Sequence, residues 1–180
     1  IFGSDMPIEA GDMDIISEPL DFIGVNYYDE EAVRAAPCSA QNPYGFEFVP
    51  TYQKKTDMGW EIEPSGLRRI LSYIANVWPC KKIYVTENGA AFPDKQDADG
   101  IVRDYDRIDY IKGHANACGD AIKQGVPLKG YFLWSLIDNF EWSFGYNRAF
   151  GIVAVDRNTL ERRPKLSFYY YRDLIAGFGL

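Results

Sequence analysis

The chain has 180 residues, a length that suits one domain, and 47% of them are hydrophobic, enough apolar side chain to build a core. Its net charge of −7 argues against nucleic acid as a partner, because a phosphate backbone calls for a basic face. No apolar run reaches the roughly 20 residues that would span a bilayer, so a membrane is not expected either.

Along the chain, the opening IFGSDMPIEAGDMD has neither a basic n-region nor an apolar stretch. It reads not as a signal peptide but as a shortened linker in the middle of something longer. LDFIGVNYY (20–28) is a nearly unbroken apolar run, as expected of a strand buried on both faces. Residues 29–64, with Pro37, Pro43, Pro50 and Pro64, read as a long irregular loop, a kind that is usually functional or disordered. From Ser65 as N-cap, Leu67, Ile70, Leu71 and Ile74 fall at helical spacing. KKIYVTEN (81–88) is the second strand. Asp104 opens a helix whose Ile108, Ile111, Ala115, Cys118 and Ile122 step by three and four until Gly125 and Pro127 end it. GYFLWSLID (130–138) is the third strand-like run. An aromatic loop, a hairpin-like segment from 152, and a last helix over about 164–176 with Gly177 as its stop complete the chain.

Alternating strands and helices predict an α/β fold with a parallel sheet of βα units. Two architectures fit: a doubly wound open sheet, or part of a (β/α)8 barrel, since three units fall short of the eight in a complete barrel of ~250 residues. Both place ligands at the C-terminal ends of the strands. Polar and aromatic residues gather there: Asn26, Tyr27 and Tyr28, then Glu87 and Asn88, then 134–142. The cysteines Cys38, Cys80 and Cys118 have no metal-ligand spacing. They read as reduced thiols in a cytoplasmic setting, with no metal and no cofactor implied.

Glu87 ends an apolar strand just before Asn88-Gly89, which reads as a turn pair. An acid there is either a capping or ion-paired group, or a carboxylate nucleophile or base that must be kept ionised by donors. Tyr28 and Asn26, at the end of the preceding strand, are candidate donors. The segment WSLIDNFEWSFGYNRAF (134–150) interleaves aromatic rings with Asp138, Asn139 and Glu141. It reads as a core strand with a packed loop, or as a surface for a sugar, whose C–H face stacks on an indole while its hydroxyls meet paired donors and acceptors.

DFIGVNYY, TDMGWEIEPSGL, IYVTENG, GYFLWSLIDNFEW and FGIVAVD, in that order, resemble the C-terminal half of glycoside hydrolase family 1 from about residue 14 to the end. The resemblance implies strands six to eight of a (β/α)8 barrel and hydrolysis of β-glucosides with retention of configuration. It further implies Glu87 as nucleophile, Tyr28 as the group that orients it, and Asn26 near the sugar's 2-hydroxyl. Trp134 would be the stacking floor, Glu141 and Trp142 the partners of the 4- and 6-hydroxyls, and Phe150 a wall of the pocket. A carboxylate at Glu141 would repel a phosphate, which argues against the 6-phospho-glycosidase branch.

Departures from the family pattern are Ala149 where Arg is usual and Asp29 where Thr is common. The family's acid/base, the Glu of an Asn-Glu-Pro motif, has no counterpart: no such tripeptide occurs here. Ser17-Glu18-Pro19 is the nearest, but Glu18 precedes its strand and reads as surface, and His114 reads as a packed or solvated helix residue. The resulting expectation is an enzyme half, completed by a complementary N-terminal barrel half or self-associated. Its rivals are a catalytically incomplete sugar-binding half-barrel and an unrelated parallel α/β scaffold with a structural Glu87.

Overall fold

The computed structural model describes residues 7–78 and 80–178; the first six residues of the linker-like opening lie outside that range. A short helix α1 (Asp12–Ile16) precedes β1 (Ile23–Asn26), a hairpin of β2 (Val33–Ala35) and β3 (Phe46–Phe48), and α2 (Pro64–Val77). Then come β4 (Ile83–Asn88), α3 (Tyr105–Lys123), β5 (Leu128–Leu133), a hairpin of β6 (Val153–Val155) and β7 (Arg162–Pro164), and α4 (Leu166–Phe178). Strands β1, β4 and β5 lie side by side in that order and run parallel.

Val25 and Val85 are register partners, and with Ile83 and Leu128 they bury against Leu67, Leu71 and Ile74 of α2 and Cys118 and Ala121 of α3. Each buried Leu or Ile is worth ~1.5–3 kcal/mol, so this cluster fixes both helices to one face of the sheet. Helix α4 reaches the same side, where Tyr171 lies against Tyr131. A doubly wound sheet would carry helices on both faces; here they cover one.

On the other face Gly24, Tyr84 and Gly130 form a row across the three strands. The Tyr84 ring lies between Phe22 and Phe132, both half exposed. The run 20–28 is therefore not buried on both faces: Leu20 and Phe22 are open, and in β1 only Val25 is fully buried, because no described segment covers this side.

Other expectations need correction. The loop 29–64 contains the β2–β3 hairpin, whose three-residue strands are exposed along their length and joined by antiparallel pairing and the Arg34–Glu47 ion pair, with Phe46 and Phe48 in edge contact along β3. The N-cap of α2 is Glu63, not Ser65: its carboxylate accepts from the Ser65 amide at 3.0 Å, and Pro64 takes the first helical position. Helix α3 buries Arg107, Tyr110, Ile111, His114, Ala117, Cys118 and Ala121 and leaves Ile122 exposed. Its inward stripe includes charged and polar residues that an apolar count passes over. The third strand stops at Leu133, after which residues 135–138 pair with 150–153 instead of extending the sheet. Gly177 lies inside α4 rather than ending it. No helix among the described residues is long and apolar enough to cross a membrane.

Candidate active site

Parallel pairing brings the ends of β1 and β4 to one level: Asn26 is the register partner of Glu87, and the Tyr27 amide donates to the Glu87 carbonyl at 2.9 Å. One residue further, Tyr28 turns its phenol toward the Glu87 carboxylate and donates to Oε2 at 2.7 Å. Burial first, then the hydrogen bond to Glu87 and its charge, push the Tyr28 phenol well above its ordinary range. Tyr28 thus stays protonated and serves as a donor to an anion.

Asn26 does not join it. Its Oδ1 accepts from the Thr86 hydroxyl at 2.7 Å on the open face of the sheet, and it makes no hydrogen bond to Glu87. The Asn88-Gly89 pair is also not an exposed turn. Asn88 ends β4 and is fully buried. Its amide donates to the Tyr27 carbonyl at 2.7 Å and the Tyr110 hydroxyl at 2.9 Å, and accepts from the Tyr131 hydroxyl at 2.7 Å. All three sheet strands and α3 are thereby tied together directly beneath Glu87. At Gly89 a Cβ would lie 1.6 Å from the Trp134 carbonyl oxygen, so only glycine lets the end of β5 approach this closely. The Trp134 amide closes the approach by donating to the Asn88 carbonyl at 2.9 Å.

Around Tyr28 stands an aromatic wall. Phe150, buried, presents an edge to the Tyr28 ring at 6.3 Å, and Trp60 lies 5.4 Å from Tyr28 and 6.1 Å from Phe150. Trp60 is the residue that sequence reasoning missed. It is held by a tight turn in which Thr56 donates to the Trp60 carbonyl at 2.8 Å and Gly59 adopts φ +81, and Asp57 anchors the turn to Ala91, just past Glu87. A tryptophan next to a turn glycine in DMGWEI was the available signal.

Of the remaining candidates, Trp134 is half-buried at the end of β5. Glu141 follows in the loop, its amide donating to the Gly145 carbonyl at 2.6 Å. Burial and then the negative charge of Glu87 raise the Glu141 carboxyl above its ordinary value, which sets the two acids on one electrostatic field. Trp142 begins a single 3-10 turn and is 84% exposed, outside the Tyr28–Trp60–Phe150 wall. Glu18 is exposed, and His114 is packed: fully buried, its ring stacks on Tyr110 at 3.9 Å. Among the described residues no cluster of His, Cys, Asp and Glu is arranged to hold a metal ion. The arrangement can hold a carboxylate against a phenol donor at the edge of an aromatic surface.

Comparison with known proteins places this geometry in context. Beta-glucosidase A of Thermotoga maritima is 47% identical over 169 residues, which are 94% of this chain and 37% of that protein. A bifunctional beta-D-glucosidase/beta-D-fucosidase of Bifidobacterium breve is 41% identical, over 92% of this chain and 39% of its own length. The solved family 1 b-glucosidase from Thermotoga maritima superposes with a TM-score of 0.89 at 47% identity, covering 94% of this chain and 37% of that one. The same enzyme in complex with isofagomine lactam matches with a TM-score of 0.87 at 46% identity, over 92% and 36%. The chain thus spans a little over a third of these relatives, and its α/β fold matches that portion of a barrel enzyme. The sequence model described as "Glycosyl hydrolase family 1" matches residues 3–179, including most of the opening read as a linker. The chain belongs to glycosyl hydrolase family 1.

Proposed function

We propose that this chain is the nucleophile-bearing part, strands six to eight, of a retaining β-glucosidase. The single observation that carries the reading is the 2.7 Å hydrogen bond from the Tyr28 phenol to the Glu87 carboxylate. Glu87 forms a bond to the anomeric carbon of a β-glucoside as the bond to the leaving oxygen breaks. The leaving oxygen takes its proton from a second carboxyl, which in retaining enzymes stands ~5–5.5 Å from the nucleophile. That acid/base is assigned to the part of the relatives that this chain does not span, so a complementary barrel half is the expected partner. Water, deprotonated by the same group, then attacks the anomeric carbon and frees Glu87. Tyr28 keeps Glu87 oriented by donating to its carboxylate. Trp134 and Phe150 line the glucose, Asn26 faces its 2-hydroxyl, and Glu141 and Trp142 take its 4- and 6-hydroxyls. Three free thiols are in keeping with a cytoplasmic enzyme.

The test is a 2-deoxy-2-fluoro-glucoside with a good leaving group, read by intact mass and peptide mapping on a sample that cleaves β-glucosides. One adduct on Glu87 is expected. A cleaving sample that carries no adduct there would remove Glu87 from its role. Glucose binding without cleavage, even with the complementary half present, would favour a sugar-binding half-barrel.

A further inference from the structure

Two cations are sealed between the loop that follows Glu87 and the loop that carries Glu141 and Phe150. Arg107 of α3, 1% exposed, donates Nε to the Ala90 carbonyl at 3.4 Å and Nη2 to the Ala149 carbonyl at 2.6 Å. Its Nη1 meets Asp94 at 3.0 Å and also pairs with Asp104. Lys165, immediately before α4 and fully buried, shares its ammonium between Asp94 and Asp138, the latter at 2.8 Å. Asp138 in turn accepts from the Gly151 amide at 2.8 Å. Ala90 and Asp94 belong to the segment after Glu87; Ala149 and Gly151 bracket Phe150.

A buried charge is costly unless every donor finds a partner, and nothing in a sheet or helix core requires two cations here. Each spans the same gap and holds the two loops at the same place. Arginine suits the wider span because its planar fork reaches several acceptors at once, which an ammonium cannot. We propose that Arg107 and Lys165 are positioning residues that set the spacing between the two loops, and through it the contact of Phe150 with Tyr28 and the orientation of Glu87. The catalytic consequence rests on the reading of Glu87 as nucleophile; the spacing role does not.

Amide exchange in the folded protein tests the spacing role, with Gly151 as the reporter for the loop and Ile83, at the opposite end of β4, as the core reference. In Arg107→Lys and Lys165→Met, Gly151 should exchange at least tenfold faster while Ile83 stays within twofold. If Lys165→Met does not fold, Arg107→Lys, which keeps the charge, decides alone. Equal acceleration at both amides, or protection unchanged at Gly151, would mean that the pair only adds global stability, and the proposal falls. Labelling by the fluoro-glucoside in the assembled enzyme should slow about tenfold in Arg107→Lys with little change in its saturation concentration. If the unaltered enzyme itself is not labelled, the nucleophile reading fails, while Gly151 exchange still decides the positioning role.

Discussion

Tyr28, two residues beyond the end of β1, meets the carboxylate of Glu87 on the neighbouring parallel strand with its phenol at 2.7 Å, while the backbones pair at Asn26 and Glu87. The bond stands one residue beyond the Tyr27 amide, which donates to the Glu87 carbonyl at 2.9 Å and so carries the alignment of the two strands up to it. A hydrogen bond to a charged group contributes about 1.5–3 kcal/mol, equivalent to roughly 10- to 100-fold in rate. Tyr28→Phe keeps the ring against Phe150 and Trp60 and removes only the donor. In the assembled enzyme kcat/KM should fall by that factor, with the urea midpoint nearly unchanged; a wild-type rate constant in the variant would contradict the role given to Tyr28.

Asn88 satisfies a carbonyl and two hydroxyls in the sealed layer beneath the site. Asn88→Ala strands all three, and each buried polar group left unpaired costs about 1–3 kcal/mol. The expected loss is about 3 kcal/mol or more, read from urea denaturation. A loss below 1 kcal/mol would mean that water reaches the layer.

Gly89 and Gly119 should respond oppositely to alanine. At Gly89 the new methyl would collide with the Trp134 backbone, whereas at Gly119, on α3, it meets nothing within 4 Å. Gly89→Ala should destabilise by several kcal/mol or prevent folding, because the backbone itself has to move. Gly119→Ala should stabilise by about 0.5–1 kcal/mol through helix propensity and a less flexible unfolded chain. Two melting curves decide both.

His114 predicts acid sensitivity. Burial lowers its pKa from 6.5 to about 4, outweighing the backbone contact to Tyr110, and its Nε2 has no hydrogen-bond partner among the described residues. Because the folded value lies below the unfolded one, the unfolded chain binds the extra proton first. Stability is fully present above pH 6.5 and is lost as pH falls from there toward about 4. At ~1.4 kcal/mol per unit, the full window is worth roughly 3 kcal/mol. His114→Gln should flatten the dependence of the urea midpoint on pH across that window; an unchanged slope would locate the acid sensitivity elsewhere.

What could be read from the chain and what could not divide along physical lines. The strands at 23–26, 83–88 and 128–133 announce themselves because their helix-facing residues are apolar and clear turn residues bound them. Glu87 beside Tyr28 was legible for the same reason, since parallel strand ends gather their next residues. The β2–β3 hairpin was not, because three-residue exposed strands joined by an ion pair carry no hydrophobic alternation. The inward face of α3 was misread by one step because Arg107 and His114 are buried through pairing and stacking, which no periodicity of apolar residues reveals. Trp60 was overlooked because its place depends on the turn at Gly59 and on contacts with Tyr28 and Phe150, far away in the chain.

That last arrangement bears on the order of events as the chain folds. The contacts of Val25, Val85, Leu67 and Leu71 link neighbouring βα units and close shorter loops than the contact of Trp60 with Phe150 does. The meeting of Trp60 with Phe150 waits until both long excursions have been pinned down. Contacts that close long loops are made late, so substitutions at Trp60 or Phe150 should hasten unfolding and leave the refolding rate almost untouched. The aromatic wall is then the first part of the molecule to come apart and the last to form, on a sheet that stands without it.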